Sequence, residues 1–186
     1  MKRLFDLFLG LLFLVLLVVP MLVLAFAVRA TSQGPAFYWS DRVGLGNNIF
    51  RMPKFRTMKF DAPAVATHLM SDPDAFLSPI GRFLRRTSLD EIPQLLSILK
   101  GDMSFVGPRP ALFNQHDLIA LRTEKRVNQL VPGLTGWAQV NGRDELPIPE
   151  KVVFDVEYME RRSFWFDMKI LWMTFLRVVK RDGVSH

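Results

Sequence analysis

From Leu4 to Val28 the chain runs through 25 residues whose single charge is Asp6. As a straight helix that block is about 37 Å long, enough for a hydrocarbon core of ~30 Å. Lys2, Arg3 and the small residues Ala25 and Ala27 have the look of a signal peptide. The block is too long for one, however, and stays apolar right up to the cleavage position. Beside that weaker reading two others compete: a helix that spans the bilayer, and a bent helix that enters and leaves on one face. Basic residues mark a cytoplasmic flank. Here they stand on both flanks, Lys2 and Arg3 before the block and Arg29, Arg42, Arg51, Lys54, Arg56 and Lys59 after it. Pro20 lies inside the block and takes away the N–H that Leu16 would accept. Both facts fit the bent helix, although spanning helices carry prolines too.

The remaining 150-odd residues are enough for one domain with its own core. The net charge of +6 points to an anionic partner. With no cysteine and only His68, His116 and His186, neither a disulfide scaffold nor a zinc site of ordinary spacing is expected.

The chemistry concentrates in Arg85 to Pro110, RRTSLDEIPQLLSILKGDMSFVGPRP. Pro93 is tolerated only in a first turn, so a helix is expected to begin near Leu89 or Asp90 and to stop at Gly101. The free N–H groups at its start favour negative charge, which keeps Asp90 ionised and suits phosphate. A plainer reading is that Ser88 and Glu91 form a capping box. Further on, two prolines flank Arg109 in Gly107-Pro108-Arg109-Pro110, so its guanidinium has little freedom to lose on binding.

Around this stretch, Ala36–Ser40 and Ile49–Met58 predict a β-hairpin, with Lys54 and Arg56 on one side at period two. An edge strand protected by lysine is the structural alternative. Asp61–Pro79 reads as loop and short helix. Phe113–Leu130 has helical spacing with Arg122, Lys125 and Arg126 on a solvated or lipid-facing side. In Pro132–Arg143 the glycines would let backbone approach a ligand, and Arg143 would aim a fork of donors at phosphate. Helices are expected over Lys151–Arg162 and Ser163–Arg181. The second has Phe164, Trp165, Met168, Leu171, Trp172, Phe175, Leu176 and Val179 on one face and bases on the other, a pattern that suits a headgroup layer as well as a core.

With these motifs in place the chain resembles the bacterial sugar transferase family, small monotopic phosphoglycosyl transferases. The likeness runs through the Pro20 helix, F-x-x-x-D-R-V-G, K-F-R-T-M, R-R-T-S-L-D-E-I-P-Q, G-D-M-S-F-V-G-P-R-P and P-G-L-T-G-W-A-Q-V-N-G-R, and includes Asp155, Tyr158 and Asp167. It implies an α-dominated α+β fold: a re-entrant membrane helix over residues 1–30, then a catalytic domain over residues 31–186 with a small β-hairpin and amphipathic interfacial helices. It also implies the cytoplasmic face of the bacterial inner membrane, a UDP-sugar donor, a polyprenyl (undecaprenyl) phosphate acceptor, membrane lipid as a partner and no nucleic acid.

On that likeness Asp90 is the nucleophile that becomes a covalent aspartyl phosphosugar, with UMP released, and Glu91 completes the catalytic pair. Mg²⁺ is held by Glu91 and Asp90, while Lys54, Arg85 and Arg143 meet the phosphates and Pro108, Arg109 and Pro110 the nucleotide end. Three positions depart from the family pattern. Pro53 threatens to interrupt its strand, Val19 stands before Pro20 where some relatives have serine, and Ala111 follows the Pro-Arg-Pro turn where larger relatives often have an acid. The competing readings are a basic membrane-anchored protein that binds lipid or nucleic acid without catalysis, and a glycosyl transferase that would release UDP.

Overall fold

The apolar block becomes helix α1, Lys2–Thr31, assigned as one helix with Pro20 inside it. In the computed structural model, which describes residues 1–59, 74–142 and 146–180, most of α1 is exposed. Leu4, Phe8, Val19 and Phe26 are each more than 60% accessible. It is long and apolar enough to cross a membrane. Only Asp6, Gly10 and Val28 are buried, and they lie toward its two ends. Near the start, Gly10 admits Leu99 so closely that a Cβ there would sit 3.0 Å from its Cδ2. Near the end, Val28 packs with Phe55 and Leu84.

The expected hairpin forms from β1, Phe37–Val43, and β2, Ile49–Phe55, joined through a 3₁₀ turn at Leu45–Asn47. Pro53 does not interrupt β2; it stands opposite Trp39 in register. In a two-stranded ribbon each strand has an open edge, so a residue without an N–H fits wherever that edge is faced. Phe50, Met52 and Phe55 point into the core, while Ile49 and Arg51 stay exposed.

Helix α2, Gly81–Thr87, ends at Ser88, whose φ of 55° is left-handed and whose N–H caps the Leu84 and Arg85 carbonyls. The helix expected from Leu89 is 3₁₀ over Leu89–Gln94, and α3 proper is Leu95–Lys100. Pro93 accounts for the tighter winding, because it disfavours α geometry at Ile92. The stop at Gly101 is as expected, with φ 103°. The capping box is not formed: the Ser88 side chain caps nothing, and Glu91 turns elsewhere.

A short parallel pair follows, β3 (Ser104–Val106) beside β4 (Gly133–Thr135). Its glycines serve backbone contact within the fold. A Cβ on Gly133 would lie 2.1 Å from the Gly107 nitrogen, and one on Gly136 2.1 Å from the Gly107 oxygen. The expectation that these glycines admit a ligand is thus corrected: at Gly133 and Gly136 the approaching backbone is that of Gly107. Between the two strands lies α4, His116–Glu124, with a 3₁₀ turn at Val127–Gln129. After β4 come α5, Ile148–Arg161, and α6, Phe164–Lys180.

The main core joins β2, α3, β3, α5 and α6 through Met52, Ile98, Phe105, Tyr158, Phe166 and Ile170. Phe166 and Ile170 are the core side of α6. Trp165, Trp172 and Phe175, on the face expected to be apolar, remain exposed. The architecture is α-dominated α+β. Asp61–Pro73 of the expected loop, together with Arg143 and Arg181, lies outside the described residues.

Candidate active site

Asp90 and Glu91 enter together on the 3₁₀ segment, yet their environments differ. Glu91 Oε1 accepts from Lys54 Nζ at 2.8 Å and from Arg109 Nη2 at 2.9 Å. Lys54 comes from β2 and Arg109 from the turn after β3, so two long-range packings converge on one oxygen. The two cations hold the Glu91 carboxyl far below the usual carboxylate range, against the burial that opposes them. Lys54 is therefore not the strand-edge guard of the plainer reading; its side chain is only 17% exposed.

Asp90 is 8% exposed, and its carboxylate accepts no hydrogen bond from a described residue. Burial pushes its pKa up, as does the neighbouring Glu91, while Lys54, Arg85 and Arg109 pull it down. The net direction is upward, with burial the largest influence on Asp90. The three opposing cations come from separate parts of the chain, Lys54 from β2, Arg85 from α2 and Arg109 from the turn after β3. Arg85 reaches the group from α2, where its Nε donates to Thr57 Oγ1 at 3.0 Å.

The Pro-Arg-Pro turn is held from outside. Its prolines have no N–H to donate, and its carbonyls are taken up one after another. Pro108 O accepts from Gly133 N at 2.9 Å, Arg109 O from Arg122 Nη1 at 2.8 Å and Pro110 O from Arg42 Nη1 at 3.2 Å. Arg122 is itself buried and donates through Nε and Nη2 to Asp155 Oδ2 at 2.9 and 2.7 Å. The solvated placement expected for Arg122 is therefore wrong. A signal for its burial was available: Arg122 falls four residues after Leu118, on the same face of α4 as that core side chain.

Asp155 and Tyr158, one turn apart on α5, serve different neighbours. Burial raises the Asp155 pKa against the pull of Arg122. Tyr158 donates to Asp167 Oδ1 at 2.8 Å, and Lys2 Nζ donates to Asp167 Oδ2 at 2.6 Å. Arg3 caps the end of α3 through the Ile98 and Leu99 carbonyls at 2.5 and 2.7 Å, and Asp6 accepts the buried Phe105 N–H at 3.1 Å. Lys2 and Arg3, read from sequence as a topological flank, are thus ligands of the domain.

Of the expected site residues, Asp90, Glu91, Lys54, Arg85 and Arg109 converge, with Pro108 and Pro110 fixing the turn; Arg143 lies outside the described residues. Among the described residues no group of three or more His, Asp or Glu side chains could hold a metal. Asp90 accepts from no described donor and could offer an oxygen to a hard cation that takes its other ligands from phosphate and water, whereas Glu91 Oε1 is already shared by Lys54 and Arg109.

An acidic pair ringed by cations, on a domain that carries a long apolar helix, suits a phosphorylated ligand near a lipid phase. Residues 1–181 match the sequence model of the family described as bacterial sugar transferase, and the chain belongs to that family. It is 40% identical over 188 residues to the uncharacterized sugar transferase EpsL of Bacillus subtilis, covering 100% of this chain and 91% of that protein. Identity is also 40% over 167 residues to the UDP-glucose:undecaprenyl-phosphate glucose-1-phosphate transferase of Xanthomonas campestris, covering 86% of this chain and 34% of that protein. To the undecaprenyl-phosphate galactose phosphotransferase of Salmonella typhimurium it is 35% over 198 residues, covering 98% and 41%. The chain spans nearly all of the Bacillus protein but less than half of the other two.

Proposed function

We propose that this chain transfers phosphosugar from a UDP-sugar to polyprenyl phosphate, through a covalent intermediate on Asp90. The observation that carries the reading is the Asp90 carboxylate: buried and in the field of Lys54, Arg85 and Arg109. A carboxylate so placed is a nucleophile that needs no neighbouring base. The names of the Xanthomonas and Salmonella relatives, one a glucose-1-phosphate transferase and one a galactose phosphotransferase, support transfer of the phosphate with the sugar.

In the first step an Asp90 oxygen bonds to the donor's β-phosphorus, and the bond from that phosphorus to the bridging oxygen breaks. UMP leaves with that oxygen and its electron pair. In the second step a polyprenyl phosphate oxygen attacks the same phosphorus and the Asp90 carboxylate departs unchanged. Arg85, Arg109 and Lys54 offset the charge that gathers on the pyrophosphate, and Glu91 keeps Lys54 and Arg109 at the site. Mg²⁺, held by Glu91 and Asp90 with phosphate oxygens, would supply further neutralisation of that charge.

Placement at the membrane is part of the proposal. Lys2, Arg3 and Asp6 bond to the same domain that packs on Val28, although a straight helix of this length measures about 45 Å. Both ends of α1 lying on one domain supports a helix that re-enters the cytoplasmic face over a helix that crosses.

The test is incubation of the purified full chain with radiolabelled UDP-glucose or UDP-galactose, undecaprenyl phosphate and Mg²⁺. The expected result is UMP release, with a labelled protein adduct when the acceptor is withheld. Asp90→Asn should stay folded and give neither. Turnover by that variant, or release of UDP in place of UMP, would overturn the reading.

A further inference from the structure

We propose that Arg122, held by Asp155, is a positioning residue that sets the Arg109 guanidinium against the donor pyrophosphate. The inference rests on the reading of the site given above and extends it to two residues that touch none of the reacting groups. Arg109 occupies an unusual position. Its side chain meets Glu91, yet its own peptide lies between prolines that cannot donate a hydrogen bond. Pro110 restricts residue 109 to extended backbone, but that leaves a broad range of ψ, and the direction of the side chain follows the peptide plane. Arg122 Nη1 fixes that plane by bonding to the Arg109 carbonyl.

The neighbouring carbonyls are held by a backbone amide, at Pro108, and by Arg42, at Pro110. At Arg109 the donor is instead a buried ion pair, with Arg122 8% and Asp155 1% exposed. Such a pair contributes little to stability beyond what apolar side chains of the same volume would, so its value lies in geometry. The guanidinium divides its donors: Nε and Nη2 go to Asp155, which locks the plane of the fork, and this leaves Nη1 aimed at one oxygen. Lysine could pair with Asp155, but a single ammonium does not offer a planar fork to both partners.

The experiment is a double-mutant cycle on the full chain in detergent, with UDP as the probe because every candidate donor contains it. Arg109→Ala is expected to weaken UDP binding by about tenfold or more. Arg122→Lys, which keeps the charge, should weaken it by about five- to tenfold with little change in melting temperature. If Arg122 acts through Arg109, the double variant binds within about twofold of Arg109→Ala alone. Wild-type affinity in Arg122→Lys, or a double variant weakened by the full product, would overturn the positioning role. Wild-type affinity in Arg109→Ala would remove both this inference and the placement of Arg109 at the donor, while the Asp90 adduct test stands apart from it. Should Arg122→Lys fail to fold, Arg122→Met combined with Asp155→Leu, which removes both buried charges together, enters the same cycle with the same binding criteria.

Discussion

Two adjacent carboxylates are driven apart by their surroundings, a recurring device for giving like groups unlike roles. Glu91 is held ionised by Lys54 and Arg109, whereas burial raises Asp90. The consequences for stability have opposite signs. The folded pKa of Asp90 lies above its unfolded value, so ionising it costs stability, and the cost is complete only above the folded pKa. Asp90→Asn should therefore melt higher than the parent at pH 7.5, and the gap should narrow as pH falls through that pKa; a variant that melts lower at neutral pH would contradict this balance. Glu91, with a depressed pKa, contributes stability that is present above its unfolded value near 4.5 and lost only as pH falls through the folded one. Glu91→Gln removes the charge on the oxygen to which Lys54 and Arg109 both donate, at a cost of roughly 1–3 kcal/mol after allowance for partial exposure. Chemical denaturation measures that cost directly. On the proposed reaction, in which the Asp90 anion attacks, the acid limb of UMP release should fall above the ordinary aspartate value of 3.8.

At the scale of elements, the site depends on segments clamped together by the first turns of α1. Arg3 closes the end of α3, whose other end continues from the Asp90 segment, and Asp6 takes the Phe105 N–H of β3, which leads straight into Gly107-Pro108-Arg109-Pro110. A buried amide deprived of its acceptor costs about 1–3 kcal/mol. Asp6→Ala should lower the denaturation free energy by that amount, and activity should suffer as β3 loosens. Full stability in that variant would mean that the clamp is incidental. Local chemistry predicted much of this layer: the hairpin with its glycine- and asparagine-rich turn and the stop at Gly101. It did not predict the use of Gly133 and Gly136, because a glycine that admits a ligand and one that admits another strand look the same in sequence.

For the whole molecule, α1 touches the domain along one side, including Phe13 against Phe105, and leaves most of its apolar surface exposed, and α6 leaves Trp165, Trp172 and Phe175 uncovered. These surfaces together suit a lipid layer, with aromatic rings at the headgroup level. The chain has no cysteine, so an introduced thiol is unique. One thiol added before Met1 and another at Ser32→Cys should both react with an impermeant reagent from the cytoplasmic side of inverted vesicles. Labelling of the two from opposite sides would establish a spanning helix instead.

Periodicity, torsion and composition were enough for an apolar block of membrane length, a ribbon of two strands, a pair of prolines narrowing the backbone about Arg109 and an acidic pair ahead of a glycine-capped helix. Which charges meet is a matter of long-range packing. Lys54 and Glu91 are 37 positions apart and Arg122 and Asp155 are 33, separations at which no local pattern relates one residue to another. Whether Arg122 is a solvated cation or a buried clamp, and whether Asp90 is a cap or an enclosed carboxylate, follows from which surfaces close over them. That choice is made by long-range packing of β2, α4 and α5 against the segments that carry Asp90 and Arg109.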